Sequence, residues 1–105
     1  MDKFVSNVYD CTKNFPKEEV FGLTSQMRRA AVSVAANIVE GCARTSSKEL
    51  VNFLGIAFSS LRELGYFIDF SRRLGFLHED KAPELQKKYD EAARVLSGLI
   101  SSLRK

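Results

Sequence analysis

The sequence predicts an all-α fold, an antiparallel up-down-up-down four-helix bundle whose first helix is shortened. Three observations carry this reading. Apolar residues recur at spacings of three and four through four separate segments, and no alternating strand pattern competes with them. Helix stops and caps punctuate the segments at Pro16, Gly41, Ser46 and Gly75. The connections are short, which makes consecutive helices antiparallel neighbours. A chain of 105 residues, 45% hydrophobic and with two prolines, fits one domain with a single core.

The first helix is predicted over about residues 2–14, where Phe4, Val8 and Cys11 fall on one face and Phe15 continues the spacing. Pro16 ends it, because the residue before proline is pushed out of the helical region. The second helix spans about residues 24–40, with Thr24 as N-cap and Gly41 as the stop. Met27, Ala31, Val34 and Ile38 make its apolar face, and Ala30 and Ala35 beside them permit close approach of a neighbour.

The third helix, about residues 47–74, opens on the capping box Ser46-Ser47-Lys48-Glu49. Leu50, Leu54, Ala57, Leu61, Leu64 and Ile68 form a bundle seam, while Phe53, Ser60, Phe67 and Leu74 make a second stripe at intervals of seven. Two stripes imply contact on two sides, and the second is expected to reach a subunit interface. At about 42 Å this helix is roughly twice the length of the first. Part of its seam must be covered by something else, or the first helix is incomplete at its N-terminus. Gly75 is expected as the C-cap, with Phe76 folding back onto Phe70. The fourth helix follows over about residues 79–103, with Pro83 in its first turn and a seam of Leu85, Tyr89, Ala92, Leu96, Leu99 and Leu103. Gly55, Gly65 and Gly98, inside helices, are read as sites of close packing.

Composition excludes more than it assigns. No segment is apolar enough to span a bilayer and the start resembles no signal peptide, so the expected location is the cytoplasm. Cys11 and Cys42 show no metal or redox spacing and should lie too far apart to bridge. No phosphate loop, dinucleotide fingerprint or paired-carboxylate motif is present, so the sequence calls for no cofactor, no metal and no enzyme. Sixteen basic against thirteen acidic residues give a net charge of +3, compatible with an anionic partner without requiring one.

The run FPKEEVFGLTSQMRRAAVSVAANIVEG, from Phe15 to Gly41, resembles the signature of the bacterial four helix bundle protein family. Its first-described members are encoded in intervening sequences of 23S ribosomal RNA genes, and accessory variability proteins of diversity-generating retroelements share the fold. The words Ala43-Arg44-Thr45-Ser46-Ser47-Lys48-Glu49, FLGIAFSSLREL, RRLGFL and GLISSL extend the likeness along nearly the whole chain. Two departures stand out: the family has a longer first helix, and tends to Gly-Ser where Ser59-Ser60 stand here. The resemblance implies a homopentameric ring without known catalytic activity. For the retroelement relatives it further implies a basic surface that engages RNA and a reverse transcriptase, against which the modest charge of this chain argues.

Five basic residues are the candidates for nucleic-acid contact. Arg28 opens the second helix and is expected to be free to bind phosphate. Arg44 and Lys48 flank the loop into the third helix, where hydroxyls and helix N-terminal amides suit an anion, although on these residues alone a solvated loop with a capping box is the favoured reading. Arg72 and Arg73 close the third helix, where the helix dipole also favours them. A structural polar network is expected from Arg29, Asn37, Glu40 and Glu63, with Arg29 paired to a carboxylate and Asn37 fixing register. Acid–base work by Glu40 needs a second group and a pocket, and the sequence offers neither. His78, the only histidine, is read as a surface cap. A protein-interaction scaffold without a nucleic-acid role is the competing reading.

Overall fold

The computed structural model describes residues 1–104. Four helices follow in chain order, α1 (Asp2–Thr12), α2 (Leu23–Cys42), α3 (Ser47–Arg73) and α4 (Ala82–Leu103), with a 3-10 turn at Lys17–Glu19 between the first two. Each of α2, α3 and α4 packs against its neighbour in sequence, and α1 closes the bundle against α2 and α4. The long axis measures 43 Å. That length is set by α3, whose 27 residues span about 40 Å at 1.5 Å per residue. The eleven residues of α1 reach only about 16 Å.

The core is a single cluster. Val8, Met27, Ala31, Val34, Ala57, Leu61 and Leu64 are fully buried, and Phe4, Phe15, Leu54, Ile68, Leu77, Leu85, Leu96 and Ile100 join them. The main α3 seam faces this core as its spacing requires. Of the second stripe, Phe53 and Ser60 meet α2, while Leu74 keeps 48% of its surface exposed. Ser60 Oγ lies 2.8 Å from Ser33 Oγ across the helix pair, and Phe67 packs on the core. On α4 the seam rotates near its end, so that Ile100 is buried and Leu99 stays half-exposed.

Several caps differ from the sequence reading. Thr24 is buried inside the first turn of α2, and the free N–H of Leu23 instead donates to Glu19 Oε1 at 3.1 Å. Gly41 does not stop α2, which continues to Cys42. It serves packing, since a Cβ there would stand 3.0 Å from Phe53 Cβ and 3.1 Å from Leu50 Cδ1. Ser46 caps α3 as expected, its hydroxyl accepting from the Glu49 N–H at 3.0 Å. At the other end Gly75 adopts φ 79°, the Gly75 N–H donates to Arg72 O at 3.0 Å, and the Phe76 N–H donates to Ser71 O at 2.9 Å. That pattern is a Schellman motif, and its φ favours glycine. Phe76 does not return to Phe70; its ring packs on Phe15, 5.9 Å between centroids. The last helix starts at Ala82, three residues later than expected, because the backbone first turns through His78, whose carbonyl accepts from Lys81 and Ala82. His78 thus acts through its backbone and not as a side-chain cap.

Only one of the three mid-helix glycines named above is a close approach. A Cβ on Gly65 would fall 2.4 Å from Tyr89 Oη, whereas Gly55 and Gly98 face open space. Cys11 is half-buried on α1 and Cys42 exposed at the end of α2, both as free thiols.

Candidate nucleic-acid interface

The sequence places its candidate cations at helix ends, and the fold distributes them to both ends of the bundle. Arg44 and Lys48 stand at the α2–α3 turn. Arg72 and Arg73 stand at the far end of α3, about 36 Å from Lys48 along the helix. Arg28 lies in the second turn of α2, which runs antiparallel to α3, and so belongs to the Arg72 end. One molecule therefore offers two separated cationic clusters, not one.

Arg28 is not free. Its Nε donates to Thr12 Oγ1 at 2.8 Å, and its Nη2 donates to the Tyr9 carbonyl at 3.2 Å. The guanidinium also lies over the Tyr9 ring, 4.6 Å from its centroid. Thr12 is buried and passes its own proton to the Val8 carbonyl at 2.9 Å. Arginine is suited to this, because its planar fork reaches the Thr12 hydroxyl and the Tyr9 carbonyl together while its charge meets the negative end of the helix dipole. The arrangement pins the end of α1 to α2.

Arg29 is exposed and donates to Gln26 Oε1 at 2.6 Å, not to a carboxylate. Glu40 is taken by Arg44, four residues on, in an exposed ion pair. Glu63 is exposed and makes no ion pair among the described residues. Asn37 donates to the Ser33 carbonyl at 2.8 Å and lies 3.2 Å from Ser33 Oγ, beside the Ser33–Ser60 contact. Arg29, Asn37, Glu40 and Glu63 therefore do not converge. The polar link between α2 and α3 is Ser33–Ser60, which residue type alone did not distinguish from ordinary helix serines.

The remaining cations are accessible. Arg44 lies over Phe53, 4.9 Å from the ring centroid. Lys48 is exposed without an ion pair among the described residues. Arg72 meets Glu79 at 3.6 Å and Arg73 meets Asp69 at 3.1 Å, all four side chains at least 39% exposed. Exposed pairs of this kind hold together by about 0–1 kcal/mol, so a phosphate can replace either carboxylate.

Two groups titrate away from their ordinary values. Burial pushes the Cys11 thiol up, with Lys81 opposing, so it stays protonated and a poor nucleophile. Burial likewise raises Tyr89, with Arg62 opposing. No cluster of metal-ligating side chains occurs among the described residues. Within them, no helix is long and apolar enough to cross a membrane.

Sequence patterning missed the exposed aromatic side chains. Phe21, at the turn before α2, is 93% exposed, and Tyr66 on α3 is 58% exposed. Tyr66 and Phe70 stand four residues apart on a face that both apolar stripes leave out, and that spacing was the available signal.

The profile of the 23S rRNA-intervening sequence protein family matches residues 1–98, almost the whole of this arrangement. The chain belongs to that family. Among solved structures, a protein of unknown function from the S23 ribosomal protein family of Bacteroides thetaiotaomicron superposes with a TM-score of 0.78. It shares 23% identity, over 91% of this chain and 87% of its own length, which establishes the likeness of fold. A comparison with curated proteins gives no match. Neither the 23S rRNA-intervening sequence description nor that of the structural relative specifies an activity.

Proposed function

We propose that this 23S rRNA-intervening sequence protein is a non-enzymatic, homo-oligomeric binding protein of the cytoplasm that engages RNA or an RNA-handling partner through its basic surface. The observation that carries the proposal is the amount of apolar side chain left at the surface of a chain with a closed core. Phe21 at 93% and Val39 and Val95 at 70% exposure, on surfaces away from the closed core, suit contacts between copies. The family resemblance makes a ring of five the expected assembly. RNA as the anion is supported by Lys48 and by Arg44, Arg72 and Arg73, whose weak carboxylate partners yield to phosphate, and the charge of +3 per copy multiplies in a ring. Arg28 contributes through the fold of α1 more than by direct contact.

Light scattering of the purified protein before and after nuclease tests both halves. The expected result is a mass well above one 11.8 kDa chain, with ultraviolet-absorbing material lost on digestion and RNA affinity falling steeply with salt. A monomer that carries no nucleic acid at any salt would refute the proposal. The scaffold reading is favoured by one observation, the pairing of Arg44, Arg72 and Arg73 with carboxylates. It expects a protein partner whose capture is indifferent to nuclease.

A further inference from the structure

The outward ridge of α3 carries an aromatic pair that the bundle does not use. Tyr66 and Phe70 are 58% and 37% exposed, and their rings lie parallel to within 7° with centroids 5.9 Å apart. The solvent face of a bundle helix is ordinarily polar. Arg62, one turn before Tyr66, and Arg73, one turn after Phe70, follow that rule on the same ridge. The Arg73 guanidinium lies 5.9 Å from the Phe70 centroid. Arg62 is exposed and makes no ion pair among the described residues, while Asp69 holds Arg73 only by the exposed contact at 3.1 Å.

We infer that this ridge is a stacking site for the unpaired bases of single-stranded RNA. The inference rests on the RNA reading above and assigns it a place. A base laid on Tyr66 extends a stack already formed by Tyr66 and Phe70. Its flanking phosphates meet Arg62 and Arg73, which stand about 16 Å apart along the helix and bracket a short run of nucleotides. Aromatic faces supply sequence-tolerant affinity and the arginines follow the backbone. Charge decides against a second copy of the chain as occupant. The centre of a protein interface is depleted of charge, whereas Arg62, Glu63, Asp69 and Arg73 all adjoin these rings on the ridge.

The chain has no tryptophan and three tyrosines, so a Tyr9→Phe, Tyr89→Phe variant leaves Tyr66 as its only strong emitter. Titrating it with a short oligoadenylate at low salt should quench that emission. In anisotropy titrations with labelled oligoadenylate, Tyr66→Ala should weaken binding about tenfold, Tyr66→Phe should bind like the parent, and Tyr66→Leu should bind like Tyr66→Ala. Phe70→Ala should weaken binding in the same sense. Salt-sensitive binding that ignores Tyr66→Ala and leaves the emission unquenched would overturn the ridge and spare the RNA reading. Absence of binding in every variant and the parent would remove both. A fall in assembly mass in Tyr66→Ala that Tyr66→Leu restores would make the ridge a contact between copies and overturn the inference.

Discussion

Gly65→Ala sets two known effects against each other at one atom. In an exposed helix interior the substitution gains about 0.5–1 kcal/mol, because alanine loses less backbone entropy than glycine. Here the new Cβ would stand 2.4 Å from Tyr89 Oη, 2.6 Å from Cζ and 2.9 Å from Cε1. Carbon atoms in contact sit near 3.5–4 Å, so the ring must retreat by about 1 Å. Tyr89 is partly buried on α4 and packed against the core, so its ring cannot retreat without losing packing. Overpacking of that kind costs about 1–3 kcal/mol. The clash is the larger effect, and Gly65→Ala should destabilise by up to about 2.5 kcal/mol.

The decisive assay is a double-mutant cycle with Tyr89→Ala, followed by urea unfolding and helical circular dichroism. With the ring removed, Gly65→Ala should stabilise by about 0.5–1 kcal/mol, its helix-propensity value. The coupling energy is then about 1–3 kcal/mol. The reasoning is refuted if Gly65→Ala stabilises both backgrounds equally, since Tyr89 would then not lie against Gly65. Gly98→Ala is the internal control, because a Cβ there meets nothing within 4 Å and only the propensity gain should appear.

Leu61→Ala empties a fully buried site on the α3 seam and should cost about 2–5 kcal/mol in urea unfolding. Arg28→Ala should release the end of α1 and raise hydrogen exchange there by more than in α3; unchanged protection would free Arg28 for a role in phosphate binding. Ser46→Ala should lower stability by about 1 kcal/mol through loss of the α3 cap. Cys11 and Tyr89 are both raised above their ordinary values of 9.0 and 10.0, so the unfolded chain gives up those protons first. Their contribution is complete below pH 9 and falls as pH rises through the folded values, and Cys11→Ser should flatten the first part of that fall. A thiol reagent at neutral pH should accordingly modify exposed Cys42 well before Cys11.

The bundle itself was legible because its signals are local and periodic. The α3 seam, the Ser46 cap and the Gly75 turn each follow from spacing or from a single backbone requirement. The parts that were not legible depend on what lies across a helix pair. Gly41 looks like a stop in sequence, and only the nearness of Leu50 and Phe53 makes it a packing residue. Gly55, Gly65 and Gly98 are alike in sequence, yet only Gly65 has a ring against it. Arg28 and Arg29 are adjacent and chemically identical. The turn of 100° between them sends one to the Thr12 end of α1 and the other to solvent. In the stripe of Phe53, Ser60, Phe67 and Leu74, spacing does not reveal that Phe53 and Ser60 meet Gly41 and Ser33 on α2 of the same chain.

Inequality of helix length gives the bundle two different ends. Near Phe15 and Phe76 four helices meet, and the Phe15–Phe76 contact and the Arg28 clamp close the layer. Toward the α2–α3 turn only the first residues of α1 contribute, and a groove of about 440 Å³ opens between Met1, Lys3 and Phe4 on one side and Ile38, Leu54 and Leu96 on the other. Val95 and Leu99 on its rim keep 70% and 45% of their surface in water. Phe4 and Val8 are the residues of α1 that reach the core, so α1 should open at a lower free energy than α3. The clamp matters for that reason. It secures the least anchored helix at its C-terminal end, through the Tyr9 carbonyl and the Thr12 hydroxyl. The cation in the run QMRRAAV that looked most available for RNA is thereby committed to holding the fold together.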